Sequence, residues 1–338
     1  MQNSIGKLTT VCMTGSINNK GVFVAAKDTK MGTVTRASMM KIIGIDDPDL
    51  LTVELVKKHL PQLKAKLLPK VKQNLNALYN QLLFVSNMPE MCHSFRISSD
   101  LLPLFDHPEL SYVYDAELLQ LIDVLLSRCK RVIDKHNIVV STHPSAYCII
   151  NSESERVRAN SFRTLYYHKY FMERLTTADQ TCINIHIEGN LDHIPEFDAG
   201  LHSDLIPWLS FENSDKNGRI FTGDTFNTLT MCERYGVKMV YDLHHHTVMT
   251  GEYLSVNDDV FSRILATWRE QTPFFHASQS REQDAIVKAH SDMITDDYII
   301  RQIADLLHFG IVDVESKYKT ESVLGVYNIV QPYLDYEM

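Results

Sequence analysis

Eight short strand-like segments alternate with helical patterns along this chain, and this alternation constrains the fold more than any other feature of the sequence. Each segment is a short, mostly apolar run, and in order they are Leu8–Thr14, Phe95–Ser99, Ile138–Thr142, Ile183–Ile187, Leu209–Glu212, Met239–Leu243, Phe274–Ala277 and Ile311–Glu315. Because strands that alternate with helices form a parallel sheet, eight such units in 338 residues predict an α/β fold, a closed (β/α)8 or TIM barrel. In that fold the active site lies at the C-terminal ends of the strands.

The helices between these strands are predicted from apolar stripes and from capping residues. Pro69 is predicted to open the first clear helix, whose apolar stripe is Val71, Leu75, Leu78 and Leu82. The same spacing predicts helices at Ala116–Ile133, Ser161–Leu175, Thr225–Tyr235, Val260–Glu270 and Ile299–His308. Asp224 and Asp258 are predicted caps or first-turn residues.

The first connection, at about residues 15–68, is long and carries an Asn-Asn-Lys-Gly turn signal with several threonines. It is therefore predicted to be largely loop. Neither an internal repeat nor a linker divides the sequence, so residues 1–338 are predicted to form a single domain.

Composition limits the function. The formal net charge is −9, and because proteins that bind nucleic acid usually present a basic surface, binding to DNA would require bound cations or a local basic face. Six scattered cysteines without a Cys-x-x-Cys pair are typical of reduced thiols in an intracellular protein, in cytoplasm or nucleus. The sequence shows no signal peptide and no apolar run long enough to span a membrane.

The stretch Lys238–His246 ends an apolar strand pattern with one aspartate and three histidines. Side chains alternate between the two faces of a strand, so Asp242 is expected on the face opposite Tyr241 and Leu243. The histidines are expected in the loop that follows the strand. A carboxylate with imidazoles suits zinc, manganese or iron, although a solvated turn would explain the stretch if it stood alone.

The same residue types recur where other predicted strands end, at His143, His186, Glu212, His276 and Glu315. A single buried histidine is more often a satisfied core residue than a ligand. Recurrence at one end of five or six strands instead predicts a cluster of two or more divalent ions, which activate water and stabilise phosphoryl oxygens. The residues alone thus indicate a metal hydrolase or an isomerase, and the same ligands would equally serve sugar isomerisation.

Five motifs in order resemble the UV damage endonuclease family, barrel enzymes that nick DNA immediately 5′ of photolesions. They are Phe-Arg-Ile-Ser-Ser-Asp-Leu at 95–101, Thr-His-Pro-x-x-Tyr at 142–147, Phe-Glu-Asn at 211–213, Asp-Leu-His-His-His at 242–246 and Ala-His-Ser-Asp at 289–292. The resemblance runs from about residue 8 to 320. Xylose isomerases and apurinic endonuclease IV resemble this chain less closely, in the fold and in the types of residue expected to bind metal.

The resemblance implies a manganese cluster, with zinc or magnesium as alternatives. Its ligands would be His107, His143, His186, Glu212, Asp242, His245, His276, His290 and Glu315, with Glu212, Asp242 and Glu315 as the catalytic carboxylates. His107 is placed by spacing alone. Lys317 and Lys319 would contact the DNA backbone, although solvated surface lysines are the alternative.

Three positions depart from the family pattern and concern lesion reading. The family has Gln-Tyr where this chain has Ala146-Tyr147, so Tyr147 remains to stack or wedge while Ala146 cannot hydrogen-bond. Thr10 stands where a second lesion-side tyrosine is expected. Phe274 replaces a lysine two residues before His276, and by alternation its ring would border the metals.

The sequence therefore predicts a monomeric, metal-dependent endonuclease acting on damaged double-stranded DNA. Three alternatives stay open at this point: an apurinic-site endonuclease, a sugar isomerase on the same barrel, and a non-enzymatic lesion-binding protein. The unmatched residues Thr10, Ala146 and Phe274 make the last conceivable, and the intact set of acidic and imidazole residues opposes it.

Overall fold

The computed structural model describes residues 6–187, 194–198, 200–216, 223–281 and 288–334. Its strands are β1 Leu8–Val11, β2 Gly15–Ile17, β3 Phe23–Ala25, β4 Ser94–Ile97, β5 Val139–Thr142, β6 Ile183–His186, β7 Leu209–Glu212, β8 Lys238–Asp242, β9 Phe274–Ala277 and β10 Ile311–Val314. Its α-helices are α1 Arg36–Ile43, α2 Val53–Lys58, α3 Leu60–Val85, α4 Ala116–His136, α5 Glu155–Met172, α6 Pro195–Asp198, α7 Thr225–Tyr235, α8 Leu243–Thr250, α9 Asp259–Thr267, α10 Asp297–Leu307 and α11 Thr320–Leu334.

Eight of these strands close into one parallel barrel in the order β1-β10-β9-β8-β7-β6-β5-β4, and β1 pairs with β4 to complete it. The eight predicted segments correspond to these eight strands, which confirms the predicted single-domain (β/α)8 fold. The observed strands are shorter at several ends; Glu315, for example, lies one residue beyond β10.

Alternation along each strand separates two environments. In β6 the outward residues Ile183 and Ile185 are buried beneath the surrounding helices, whereas Asn184 and His186 face the barrel interior. Neighbouring strands are in register, so inward-facing residues lie side by side: His186 pairs with Glu212, and Asp242 pairs with His276. Polar side chains from neighbouring strands therefore meet inside the barrel, at the end where the strands finish.

Helix α3 begins earlier than predicted. Pro61 lies in its first turn, and Pro69 is inside the helix rather than at its start. The apolar stripe continues upstream of Val71 through Leu67 and Leu63, both fully buried. Burial of this long stripe offsets the hydrogen bond that an internal proline removes.

The first connection is more regular than predicted. It contains the antiparallel β2–β3 hairpin, helices α1 and α2, and the first turns of α3. Thr35 and Thr52 cap α1 and α2 by accepting hydrogen bonds from Ser38 N and Leu55 N. Two of the four threonines that indicated loop are thus helix caps, which is a position that threonine favours.

The floor of the barrel, at the N-terminal ends of the strands, is closed by Trp268 and the buried ammonium of Lys238. Trp268 Nε1 donates to Met239 O at 2.6 Å, and Lys238 Nζ lies 5.4 Å from the centre of the indole. Lys238 Nζ also donates to three backbone carbonyl oxygens: Ala178 O at 3.1 Å, Thr181 O at 2.8 Å and Pro207 O at 2.8 Å. Among the described residues, no helix is long and apolar enough to cross a membrane.

Candidate metal centre

Glu212, at the end of β7, is the central carboxylate of the site. Its side chain is fully buried, and Oε2 lies 3.0 Å from His143 Nε2 and accepts a short hydrogen bond from Asn184 Nδ2. Oε1 lies 3.3 Å from His245 Nδ1 and 3.2 Å from His276 Nδ1. One carboxylate therefore touches imidazoles delivered by the ends of three other strands.

Asp242 ends β8 and at the same time caps α8. Its Oδ1 accepts from His245 N at 2.6 Å, and helix α8 starts at the next residue, where a loop was predicted. Successive side chains of a helix point about 100° apart, so the three histidines diverge. His245 faces Glu212, His244 faces Ser280 with Nε2 2.9 Å from Oγ, and His246 faces Thr225 with Nδ1 2.7 Å from Oγ1.

Glu315 and His276 form the opposite side of the site. His276 Nδ1 lies 3.3 Å from Glu315 Oε1, and its Nε2 lies 3.4 Å from Asp313 Oδ2. Arg96 Nη1 makes a short contact with Glu315 and lies 3.4 Å from Asp313. A carboxylate behind a metal-binding histidine fixes the ring and raises its basicity, and Asp313 occupies that place behind His276.

Backbone carbonyls orient two more imidazoles. His143 Nδ1 donates to Pro144 O at 2.7 Å, and His245 Nδ1 donates to Asn213 O at 2.9 Å. With Nδ1 as the donor, a neutral form of each ring would offer the Nε2 lone pair to a metal ion. Asn213 in turn exchanges two 2.8 Å hydrogen bonds with the backbone of Asp242, so β7 and β8 are locked together at the site.

The carboxylates carry opposed pKa shifts. Burial raises the pKa of Asp242 to about 6; His245 opposes this, and Glu212 and Glu315 add to it. Burial also raises the pKa of Glu212 and of Glu315, but neighbouring cations outweigh it and hold both pKa values well below the ordinary range. Three buried carboxylates thus crowd one small volume.

The donor set fits divalent cations. Asp242 Oδ2 and His276 Nδ1 are buried and make no hydrogen bond among the described residues, and a buried polar atom without a partner is costly unless a cation or water satisfies it. Four groups have potential ligand atoms within 4.8 Å of one another: His143, His186 and Glu212; Glu212, Asp242 and His245; Asp242, His276 and Glu315; His244, His245 and His290.

These groups bring together all the expected ligands except His107. Glu212, Asp242 and His245 each belong to two groups, which is the pattern of a cluster with shared ligands rather than of one isolated ion. The oxygen and nitrogen donors are suited to manganese, zinc or iron. His290 is the most open of the members, with its side chain 28% exposed and Nδ1 3.8 Å from Glu315 Oε2.

His107 is not in any of the four groups. Its Nδ1 accepts from Glu109 N and Leu110 N at 3.4 Å each and lies 3.2 Å from Glu109 Oε2. It lines a separate cavity of about 620 Å³ with Arg36 and Arg163. The expectation that His107 is a ligand rested on spacing alone, and the structure gives it local hydrogen bonds instead.

This difference predicts a metal-content result. We expect His143→Ala to lower the number of manganese ions retained per chain after gel filtration, because His143 Nε2 points at Glu212. We expect His107→Ala to leave that number unchanged. Elemental analysis of both variants beside the parent measures the outcome, and an equal loss from the two variants would restore His107 to the cluster.

The residues expected to contact DNA divide into two sets. Tyr147 is 88% exposed on the loop after β5, Ala146 beside it is exposed, Lys317 is exposed, and Lys319 is half-buried. Thr10 is fully buried, so the structure does not present its side chain for the expected contact with a lesion. Alternation places Thr10 on the outer face of β1, where it pairs with Phe95 under the helices.

Phe274 is buried, and its register with Ile311 is consistent with the predicted inward face. Its ring, however, stacks on Trp268 with 5.7 Å between centroids, in a small apolar cluster that also includes Val240 and Cys182. Two residues along a strand span about 6.6 Å, so Phe274 lies one layer below His276. The ring belongs to the barrel floor rather than to the layer of candidate metal ligands.

Sequence reasoning missed His244 and did not recognise the supporting role of Asp313, Arg96 and Asn184. His244 joins His245 and His290 because α8 begins at once, which a strand-then-loop interpretation does not anticipate. Asp313 was within reach of the sequence, since alternation places it on the same face as Glu315. The partners of Arg96 and Asn184 lie on other strands, and only the closed barrel defines them.

This chain is similar to known proteins in both sequence and fold. A model of the UV-endonuclease UvdE family matches residues 6–336. The UV DNA damage endonuclease of Bacillus mycoides (strain KBAB4) is 27% identical over 243 residues, which cover 68% of this chain and 73% of that protein. That of Bacillus cereus (strain 03BB102) is 26% identical over 271 residues, or 77% of this chain and 81% of that protein.

Two solved structures share the fold. The crystal structure of SacUVDE superposes with a TM-score of 0.74 at 21% identity and covers 97% of this chain and 98% of its own. Endonuclease IV from Thermus thermophilus superposes with a TM-score of 0.54 at 12% identity and covers 76% and 94%. The family match extends over nearly all of the sequence that builds the barrel and its polar mouth. This chain therefore belongs to the UV-endonuclease UvdE family.

Proposed function

We propose that this protein is a metal-dependent DNA repair endonuclease that nicks the backbone immediately 5′ of UV photolesions. The observation that carries the proposal is the convergence of Glu212, Asp242 and Glu315 with six histidines at one mouth of the barrel. Family membership supports a DNA repair endonuclease, and the ligand set supports hydrolysis as its chemistry. Manganese is the ion that we propose.

Glu212, Asp242, His276 and Glu315 would hold the innermost ions, with His143, His186, His245 and His290 around them. Divalent ions at such a site supply an activated water and neutralise phosphate oxygens during in-line displacement. In the net reaction the oxygen of water bonds to phosphorus, the bond from phosphorus to the 3′ oxygen breaks, and that oxygen takes up a proton. A 3′ hydroxyl and a 5′ phosphate result.

Other residues of this chain would orient the metal ligands and the DNA for that reaction. Arg96 holds Glu315 and Asp313 on one side, and Asn184 and Asn213 hold Glu212 and Asp242 on the other. Tyr147 is exposed beside His143 and is placed to stack on a base, which is cheaper at a damaged dinucleotide because less stacking is lost when it is extruded. Ala146 offers no hydrogen bond there, so recognition would depend on shape and stacking.

The test is strand cleavage of defined DNA. We expect manganese-loaded protein to nick irradiated duplex, end-labelling to map the cut 5′ of each photolesion, and a chelator to abolish cutting. Asp242→Asn should lose this activity, whereas Asp134→Asn, an exposed surface change in α4, should keep it. Cutting of abasic duplex alone would indicate an apurinic-site endonuclease, and conversion of free sugars alone would indicate an isomerase; either result would overturn the proposal.

A further inference from the structure

The β2–β3 hairpin is a small two-stranded ribbon between β1 and α1. Ser16 pairs with Val24, and Ile17 pairs with Phe23. Asn18 closes the turn: its side-chain Oδ1 accepts from Lys20 N at 2.9 Å and from Val22 N at 3.1 Å. Hydrogen bonds from an asparagine side chain to the backbone that follows it stabilise a turn locally.

The hairpin is fastened to the segment that follows β10 and Glu315. Thr320 Oγ1 donates to Gly15 O at 2.6 Å and accepts from Gly15 N at 3.0 Å, and Tyr318 Oη donates to Gly21 O at 2.7 Å. A Cβ on Gly15 would lie 2.2 Å from Val24 O, so only glycine permits this approach. Both the base and the tip of the ribbon are therefore fixed at the mouth that holds the metal ligands.

The two faces of the ribbon differ. Ile17 and Phe23 are half-buried on one face, whereas Val22 and Val24 are 55% and 49% exposed on the other, with Met13 38% exposed nearby. Exposed valines on a ribbon this small form a narrow apolar ridge. Such a ridge is too small for a stable protein interface, which buries about 800 Å² on each partner.

Three lysines lie close to this ridge in sequence, one in the hairpin turn and two in the segment after β3. Residues 12–36 contain four basic side chains and one acidic side chain, Asp28, in a chain whose net charge is −9. Lys20, Lys27 and Lys30 are all exposed. The backbone that carries Lys27 and Lys30 is held by α3, because Asn80 Nδ2 donates to Asp28 O at 3.0 Å and Gln73 Nε2 donates to Lys30 O at 3.2 Å.

We propose that the β2–β3 hairpin and the segment that follows it dock on the DNA duplex that flanks the lesion, with Lys20, Lys27 and Lys30 on phosphates and the valine ridge against the groove. The proposal deepens the proposed function and rests on it. Two observations support duplex DNA as the occupant: the local positive charge complements phosphate, and the hairpin is continuous with the metal-site mouth. The major groove of DNA also admits a two-stranded ribbon. These lysines would provide a local basic face at the metal-site mouth of a chain whose net charge is −9.

The test is the salt dependence of binding to a short undamaged duplex, with the manganese-loaded protein. Each phosphate contact contributes about 0.9 to the slope of log affinity against log salt. We expect Lys20→Gln/Lys27→Gln/Lys30→Gln to reduce that slope by roughly 2–3 and to weaken binding about tenfold or more. On irradiated duplex, KM should rise while kcat stays within about twofold of the parent value, because the metal ligands are untouched.

The matched control removes three charges from the opposite end of the barrel. Lys130→Gln/Arg131→Gln/Lys135→Gln changes the last turns of α4, which precede β5 at the floor. This variant should bind with the parent slope. Val22→Glu should weaken binding by repelling phosphate, and Val124→Glu, a change at an equally exposed valine on α4, should not. Thermal unfolding of each variant confirms that it is folded.

Failure of this proposal is distinct from failure of the proposed function. If the parent protein does not cut irradiated duplex, the endonuclease assignment fails first. If the parent cuts but the hairpin triple variant keeps both slope and affinity, the hairpin does not dock on DNA. If the parent sediments as a dimer that Val22→Glu converts to monomer, the ridge is an interface between two copies, and the DNA proposal is overturned.

Discussion

Replacing Glu212 with glutamine is expected to abolish strand cleavage, with a fall in rate of about 1000-fold or more. Stabilisation of transition-state charge by metal ions is worth several kcal/mol, and about 1.4 kcal/mol corresponds to a factor of ten in rate. Glu212 belongs to two of the ligand groups, so the substitution weakens both at once. Glutamine has nearly the same shape and keeps one oxygen, and for that reason the fold should persist.

Two measurements separate loss of chemistry from loss of fold. Titration of metal-free protein with manganese, followed by calorimetry, should show weaker and fewer binding events for Glu212→Gln than for the parent. Glu233→Gln makes the same chemical change at a surface ion pair with Arg263 and should leave binding and cleavage intact. Cleavage by Glu212→Gln within about tenfold of the parent rate, at full manganese occupancy, would remove Glu212 from the catalytic role.

The barrel was predictable because its physical signals are local. Each strand is short and apolar on its outer face, and most are followed by a helix with an apolar stripe, as in α4, where Leu118, Ile122 and Leu126 are buried at spacings of four. The convergence of Glu212, Asp242 and His276 also follows from local signals. Once parallel strands close into a barrel, their C-terminal ends lie at one mouth. A polar residue at the end of any strand is therefore predicted to lie near those at the ends of the others.

The remaining differences come from interactions that the sequence does not display as a pattern. The spacing of His107 from β4 predicted a ligand at the barrel mouth, but its Nδ1 accepts hydrogen bonds from Glu109 N and Leu110 N. His244 enters the site because Asp242 caps a helix immediately, without a loop. Thr10 is a strand residue whose face is determined by pairing with Phe95. In each case, local hydrogen bonding or strand pairing determines the direction of the side chain.

Lys238 shows a further limit of pattern-based prediction, because nothing in the sequence marks it as a buried cation. Its side chain is 4% exposed, and its ammonium joins the connections that precede β6, β7 and β9 through Thr181 O, Pro207 O and Gln271 Oε1. It lies four residues before Asp242 on β8, about 13 Å away along the strand. Its contribution is therefore expected in stability rather than in metal binding.

We expect Lys238→Met to destabilise the protein by about 2–4 kcal/mol. The methionine fills most of the volume but donates no hydrogen bond, so the buried Thr181 carbonyl and three part-buried oxygens, Ala178 O, Pro207 O and Gln271 Oε1, lose a partner. An unsatisfied buried group costs about 1–3 kcal/mol, and part-buried groups that water can reach cost less. Chemical unfolding at neutral pH measures the loss. Lys130→Met, on the exposed face of α4, should change stability by less than about 0.5 kcal/mol, and manganese binding should be unaltered in both variants.

The pH dependence of the stability lost in Lys238→Met tests whether the buried charge of Lys238 contributes to it. Burial lowers the pKa of Lys238 to about 8 from an ordinary value of 10.5. Between these values the unfolded chain holds the proton more strongly than the folded chain, so the stability that Lys238 contributes rises with pH from about 8 to about 10.5 and then levels off. Below pH 8 both states are protonated and the contribution is constant. The free-energy difference between the parent and Lys238→Met should therefore widen as pH rises from 8 to 10. A difference that narrows over this range would mean that the carbonyl acceptors stabilise the ammonium more than burial penalises it.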